Sequence, residues 1–140
     1  MRVFIFLSAD FEHVKYGDKY KVLLLNRKML MPQKYMKWQG KIGLFGGKID
    51  EGETPNAAIT RELVEELGMV LIDEPEVIHE AEGLVVYHAN IGQFNQGTMT
   101  NLAGRCTEGL LDVFDRVRLE ATREDEFVFP ILKSLALDLV

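Results

Sequence analysis

The sequence predicts an α/β fold, a sandwich built on a mixed β-sheet. Three observations lead there. Short apolar runs of strand length, Val3 to Leu7, Val22 to Leu25 and Leu84 to Tyr87, are separated by polar, glycine-bearing connections. The stretch from Pro55 to Leu67 carries apolar residues at helical spacing, with start and stop signals at its ends. A second helical pattern runs from Phe127 to Leu139. A chain of 140 residues is expected to form one domain, residues 1–140, with a core of its own.

Val3 to Leu7 is the expected first strand. Asp10 to Lys19 is polar, and Gly17-Asp18 reads as the turn of a hairpin connection. Tyr20 to Arg27 is the next strand, and its unbroken run Val22-Leu23-Leu24-Leu25 is typical of burial on both faces. Lys28 to Lys41 is a long connection mixing Lys28, Lys34, Lys37 and Lys41 with Tyr35, Met36 and Trp38. Long loops in compact domains are usually functional or mobile. Aromatic faces suit a base and lysines suit phosphates, which makes Trp38 a candidate substrate contact. The alternative is that Met29, Met31 and Trp38 cover the core edge. Ile42 to Phe45 is a short strand leading into Gly46-Gly47, read as loop punctuation.

Further on, Asp73 to Glu76 is an acidic turn, and Val77 to Ala89 a long strand or bent hairpin arm. Asn90 to Asn101 reads as a polar loop with Phe94 exposed or stacking. Leu102 to Cys106 and Gly109 to Phe114 are expected short strands. Arg116 to Glu126 is charged, and Pro130 must stand in the first turn of the last helix or kink it.

The stretch from Gly47 to Met69 holds the chemistry. Thr54 is placed to cap a helix, with Pro55 at the first helical position, where a missing N–H costs nothing. Ile59, Leu63 and Leu67 recur every four residues, and Gly68 follows where helices often end in a left-handed turn. At about 100° per residue, Glu62 and Glu66 lie beside that apolar stripe, and Glu65 one step further, near Arg61. Three carboxylates so placed repel one another. A hard divalent ion such as Mg²⁺, which takes oxygen ligands, reverses that sign. A solvated acidic face is the alternative.

The spacing is Gly47, five residues, Glu53, seven residues, Arg61-Glu62-Leu63, one residue, Glu65-Glu66, one residue, Gly68-Met69. Every fixed position of the Nudix hydrolase signature is present, and GGKI before the box and GETP within it resemble the MutT-like branch. Phe45 stands where many relatives have proline. The resemblance implies a Nudix-type α/β/α sandwich with a mixed sheet, and Mg²⁺ (Mn²⁺ substituting) held by Glu62, Glu65 and Glu66 with the Gly46 carbonyl. It implies catalytic roles for Glu53, Arg61 and Glu65, with Arg61 orienting a box glutamate. Glu53 positions Arg61, binds metal through water, or serves as base. Glu108 is a candidate base outside the box, while His79 and His88 read as structural. Arg27, by resemblance near the nucleotide, joins Lys48, Trp38 and Tyr87 as candidate substrate contacts.

The implied reaction is cleavage of a pyrophosphate linkage in a nucleoside diphosphate derivative, foremost a (d)NTP giving monophosphate and pyrophosphate. Tyr87, 18 residues beyond Met69, leaves open a dinucleoside polyphosphate (ApnA) hydrolase, and a nucleotide-binding Nudix regulator is the non-catalytic alternative. Charge is divided unevenly: residues 1–48 carry ten Lys/Arg against three Asp/Glu, and residues 49–140 six against nineteen. That suits a metal-loaded polyphosphate as partner. The net charge of −6 argues against a nucleic-acid polymer as partner. No apolar run approaches the roughly 20 residues of a membrane span. The single Cys106 suits a reducing cytoplasm and reads as a small core residue. A monomer or homodimer is expected.

Overall fold

Alternation along the first strand sorts the core into two layers. The structure, a computed structural model, describes residues 1–12, 17 and 19–140, and the side chains of Phe94 and Gln96 are not among those described. In β1 (Arg2–Glu12), Val3, Ile5, Leu7 and Ala9 face one way and Phe4 and Phe6 the other. The second strand, β2 (Lys19–Lys28), repeats this: Val22 and Leu24 join the first layer, Leu23 and Leu25 the second. Both strands are therefore buried on both faces, as the apolar run predicts.

The remaining elements are β3 (Ile42–Gly43), β4 (Phe45–Lys48), α1 (Pro55–Leu67), β5 (Glu76–Ala81), β6 (Leu84–Phe94), α2 (Gln96–Ala103), β7 (Gly109–Phe114), α3 (Arg116–Ala121) and α4 (Ile131–Leu137). β1 pairs parallel with β6, and every other strand pair is antiparallel, so the sheet is mixed. Helix α1 packs Ala58, Ile59, Leu63 and Leu67 on the first layer. Leu119 of α3 and Leu132 and Ala136 of α4 pack on the second. This is the expected α/β/α sandwich. Among the described residues no helix is long and apolar enough to cross a membrane.

Several elements depart from expectation. Gly46 and Gly47 are strand, not loop: they sit in β4 opposite Phe4 and Val3 of β1. β4 and β2 share one edge of β1, because β2 leaves it after the Leu7–Leu24 pair and β3–β4 fills the gap. The Asn90–Asn101 stretch is not loop. β6 continues through it to Phe94, and Asn95 then caps α2 by accepting from the Thr98 N–H at 2.9 Å. Leu102 to Cys106 is the end of that helix and a turn, since Leu102 fills the α1-side core from a helix instead of a strand. The long 28–41 connection holds a 3₁₀ helix, Gln33–Trp38. Val77 to Ala89 resolves as a hairpin, β5 and β6. The α-helices number four among the described residues, not two. The β1–β2 pair closes as far as Glu12 and Lys19, as in a hairpin. The predicted turn at Asp18 and the side-chain setting of Phe94 lie outside the described residues.

Helix α1 runs over the predicted span. Thr54 Oγ1 accepts from the Ala57 N–H at 3.1 Å, and Gly68 closes the helix at φ 61°. Pro130 precedes the first residue of α4.

Gly46 is the tightest backbone contact. Its φ is 137°, and a Cβ there would fall 2.1 Å from the Val3 carbonyl oxygen of β1. That oxygen and the Phe4 Cα, which the Cβ would also meet, are backbone, so no side-chain movement relieves the clash. Gly46→Ala is therefore expected to cost about 3 kcal/mol or more of folding stability, read by urea denaturation. A loss under about 1 kcal/mol would mean that β4 can move away from β1.

Candidate active site

The site forms where α1 crosses β4. Glycine at position 47 lets the helix side chains reach the strand, since a Cβ there would lie 2.6 Å from Glu62 Oε1. One residue earlier, the Gly46 N–H donates to Glu66 Oε2 at 2.7 Å. Gly46 thus meets the box through its N–H.

Arg61 binds the acidic residues together. Its Nε donates to Glu53 Oε2 at 2.8 Å and one terminal nitrogen to Glu53 Oε1 at 3.0 Å, a two-pronged bond. The same nitrogen donates to the Lys48 carbonyl at 3.1 Å. The other terminal nitrogen reaches Glu62 Oε1 at 3.2 Å and Glu65 Oε2 at 3.3 Å. The Asp50 N–H adds a third bond to Glu53 at 3.0 Å. These bonds, Arg61's first, hold the Glu53 carboxyl below its usual range.

Burial acts on the other two acids in the opposite direction. Glu62 is pushed up chiefly by desolvation. Glu66, 5% exposed, is pushed up to about 7 by its burial, with Lys28 and the Gly46 N–H pulling the other way. Oxygen donors, two of them poorly hydrated, are what a hard divalent cation takes, so the donor chemistry fits Mg²⁺. In this structure Arg61 occupies the space between Glu62 and Glu65, and among the described residues no three acidic, histidine or cysteine side chains converge at metal-binding distance.

Beyond the glycine pair lies a cavity on the α4 side of the sheet. Gly46, Gly47, Gly43 and Leu44 form its wall next to the box, and Phe4, Phe129, Tyr35 and Trp38 its aromatic side. Tyr35 and Trp38 stack with ring centroids 5.1 Å apart and planes 1° off parallel, and Trp38 sets its edge toward Phe129 at 6.0 Å. The Arg2 guanidinium lies over both rings, 5.7 and 5.8 Å from their centroids. Its hydrogen bond pulls the Tyr35 hydroxyl below its usual range.

The sequence-derived candidates divide accordingly. Glu53, Arg61, Glu62, Glu65, Glu66 and Gly46 are brought together, and Trp38 lines the cavity. Lys48 contributes its carbonyl to Arg61, while its side chain is exposed at the strand end. Arg27 is turned away: it pairs with Asp112 at 3.2 Å and donates to the Gly40 carbonyl at 3.0 Å. Tyr87 is 4% exposed and packs in the α1-side layer, while the cavity draws on Phe4, Leu44 and Leu132 of the other layer. Glu108 lines the cavity from a left-handed backbone, φ 58°. His88 bonds Ser8 Oγ at 2.7 Å, and neither it nor His79 lines the cavity. Cys106 packs against the α1-side core, where burial pushes its thiol up to about 11.

Sequence reading grouped Lys28 with the other lysines of the 28–41 connection and overlooked Arg2; both line the cavity. No local signal marked Lys28, since alternation along β2 sets it on the face of Val22 and Leu24, the α1-side layer.

Fold and site together define an α/β/α enzyme scaffold with a Nudix box between strand and helix. The chain matches the NUDIX domain model over residues 11–127. A mutT/nudix family protein from Listeria innocua shares 19% identity over 97% of this chain and 88% of that one, with a TM-score of 0.68. A C. elegans Ap4A hydrolase in a binary complex shares 13% over 99% and 95%, at 0.61. The NUDIX domain of Shewanella oneidensis NrtR, complexed with ADP ribose, shares 17% over 98% and 85%, at 0.55. No curated protein matches the sequence significantly. This chain belongs to the Nudix family and is a Nudix hydrolase, of the class acting on pyrophosphate bonds.

Glu66 sets a pH-dependent test. Its proton is held more tightly in the folded protein than in the unfolded chain, whose carboxyl sits near 4.5. The stabilisation it gives is complete below that value and lost as pH rises through about 7. In EDTA, Glu66→Gln is expected to stabilise the fold by about 2 kcal/mol at alkaline pH and to give no gain at acid pH. Melting curves across that range check it, and an equal effect at both ends contradicts the burial account.

Proposed function

We propose that this hydrolase is a Mg²⁺-dependent, MutT-like pyrophosphohydrolase that converts a nucleoside triphosphate to the monophosphate and pyrophosphate. The observation that carries the reading is the junction at Gly46-Gly47. On one side stand Glu62 and Glu66, and on the other opens a cavity with an aromatic pair along one wall. A substrate with its ring in that cavity and its phosphates over the glycines would meet both.

Glu62, Glu65 and Glu66, with the Gly46 carbonyl, would hold the Mg²⁺ or Mn²⁺. When bound, the ion supplies neutralisation of phosphate oxygens and a lowered pKa for bound water. Arg61 keeps Glu62 and Glu65 at fixed positions, and Glu53 fixes Arg61. With both its oxygens engaged and its carboxyl held low, Glu53 suits that positioning role better than proton abstraction. Trp38 offers the ring surface for the base.

The dinucleoside polyphosphate reading loses its sequence support, because Tyr87 is a core residue on the opposite layer from the cavity. The regulator reading has against it a complete set of box glutamates.

Incubation with Mg²⁺ and a panel of nucleoside triphosphates, ApnA compounds and nucleotide sugars, with products identified, tests the assignment. Monophosphate plus pyrophosphate is the expected outcome. Tight binding with no turnover would make the chain a nucleotide-binding module, and turnover of ApnA alone would move it to that class. Glu66→Gln is expected to lower kcat by about two orders of magnitude or more, and near-normal turnover would remove Glu66 from the site.

A further inference from the structure

The cavity contains a buried cation that the fold does not pair. Lys28 ends β2 at 8% exposure, and its stem lies along Gly43, where a Cβ would fall 2.6 Å from Lys28 Cε. Its ammonium donates to the Leu44 carbonyl at 3.1 Å. An ammonium carries three N–H donors, and Leu44 takes one. Glu66, Glu108 and Glu62 attract it through space, yet it forms no ion pair among the described residues. Burial lowers its pKa, the direction expected where charge is disfavoured. An unpaired buried charge is costly. A hydrophobic side chain of the same length would fill the space at lower cost.

The position of the group points to its partner. Leu44, to which it bonds, lies on the β3–β4 wall between Gly43 and Gly46, where the cavity passes into the box. A ligand reaching from Trp38 to the glycine pair runs along this wall. Arg2, the other cationic residue of the cavity, is engaged over Tyr35 and Trp38. Arg27 is fastened to Asp112 outside it.

We propose that Lys28 binds a phosphate oxygen on the nucleoside side of the substrate, so that the cavity selects a ring carried on a phosphate chain over the ring alone. This rests on the nucleotide-hydrolase reading above and makes Lys28, not Arg27, the strand-end cation that meets substrate.

Trp38 is the single tryptophan of the chain and lines the same cavity, so its fluorescence reports occupancy directly. Wild type and Lys28→Met are titrated in EDTA with the four ribonucleoside diphosphates and the matching nucleosides. Methionine keeps length and volume and removes the charge. For at least one base, wild type is expected to bind the diphosphate more tightly than the nucleoside. Lys28→Met is expected to weaken that diphosphate by about ten- to a hundredfold, leave the nucleoside within about twofold, and melt no lower than wild type. Unchanged diphosphate affinity overturns the proposal and leaves the hydrolase reading intact. Equal loss of nucleoside and diphosphate with a lowered melting temperature also overturns it, since Lys28 would then be a packing residue. If wild type binds no member of either set, in EDTA or with Ca²⁺ in its place, both this proposal and the nucleotide reading fall.

Discussion

Arg61 joined to Glu53 by two parallel hydrogen bonds is the contact on which the rest of the site depends. Four acidic side chains gathered around one helix and its leading loop would repel each other and spread into solvent. A guanidinium with five N–H donors, gripped on one side by Glu53 and the Lys48 carbonyl, holds Glu62 and Glu65 on the other. Lysine in that position has no planar fork and reaches one partner where arginine reaches several. The loop from Lys48 to Glu53, the helix and the strand are thereby tied through one side chain.

The second constraint is steric. Gly46 and Gly47 let a strand pass between β1 and α1 with no side chains in the gap. Gly46 meets the backbone of β1, and Gly47 leaves room for the Glu62 carboxylate. The same absence of side chains joins the acidic cluster to the aromatic cavity, so that box carboxylates and aromatic rings adjoin one another.

How much of this was legible follows from which features are local. The cap at Thr54, the proline start, the four-residue apolar repeat and the left-handed glycine all lie within one short stretch, Thr54 to Gly68, and α1 appears where they place it. The buried edge bearing Glu62 and Glu66 follows from the same periodicity. The glycine pair was misplaced into a loop because its environment is made by β1, some forty residues away in sequence. Lys28 lines the cavity and Arg27 does not, for a similar reason. Which of two adjacent cations enters the cavity depends on Asp112 and Gly43, partners that no local pattern reveals. Helix α2 was hidden by Gly97 and two threonines, poor helix formers, while its Asn95 cap was visible. Tyr87 looked like a ligand contact because strands favour tyrosine, and only the sheet register, which pairs it with Ile5, sets it in the α1-side layer.

The parallel pairing of β1 with β6 has a consequence for how the molecule is made. β1, β2, β4 and α1 all lie within the first 67 residues, and α1 covers the odd-numbered side chains of β1. The other edge of β1 stays open until residues 84–94 arrive. During synthesis the half that carries the Nudix box is thus assembled from neighbours while its central strand waits, exposed along one side, for a distant mate. Such late, non-local closure slows folding and leaves the nascent chain most vulnerable to edge-to-edge association before β6 docks.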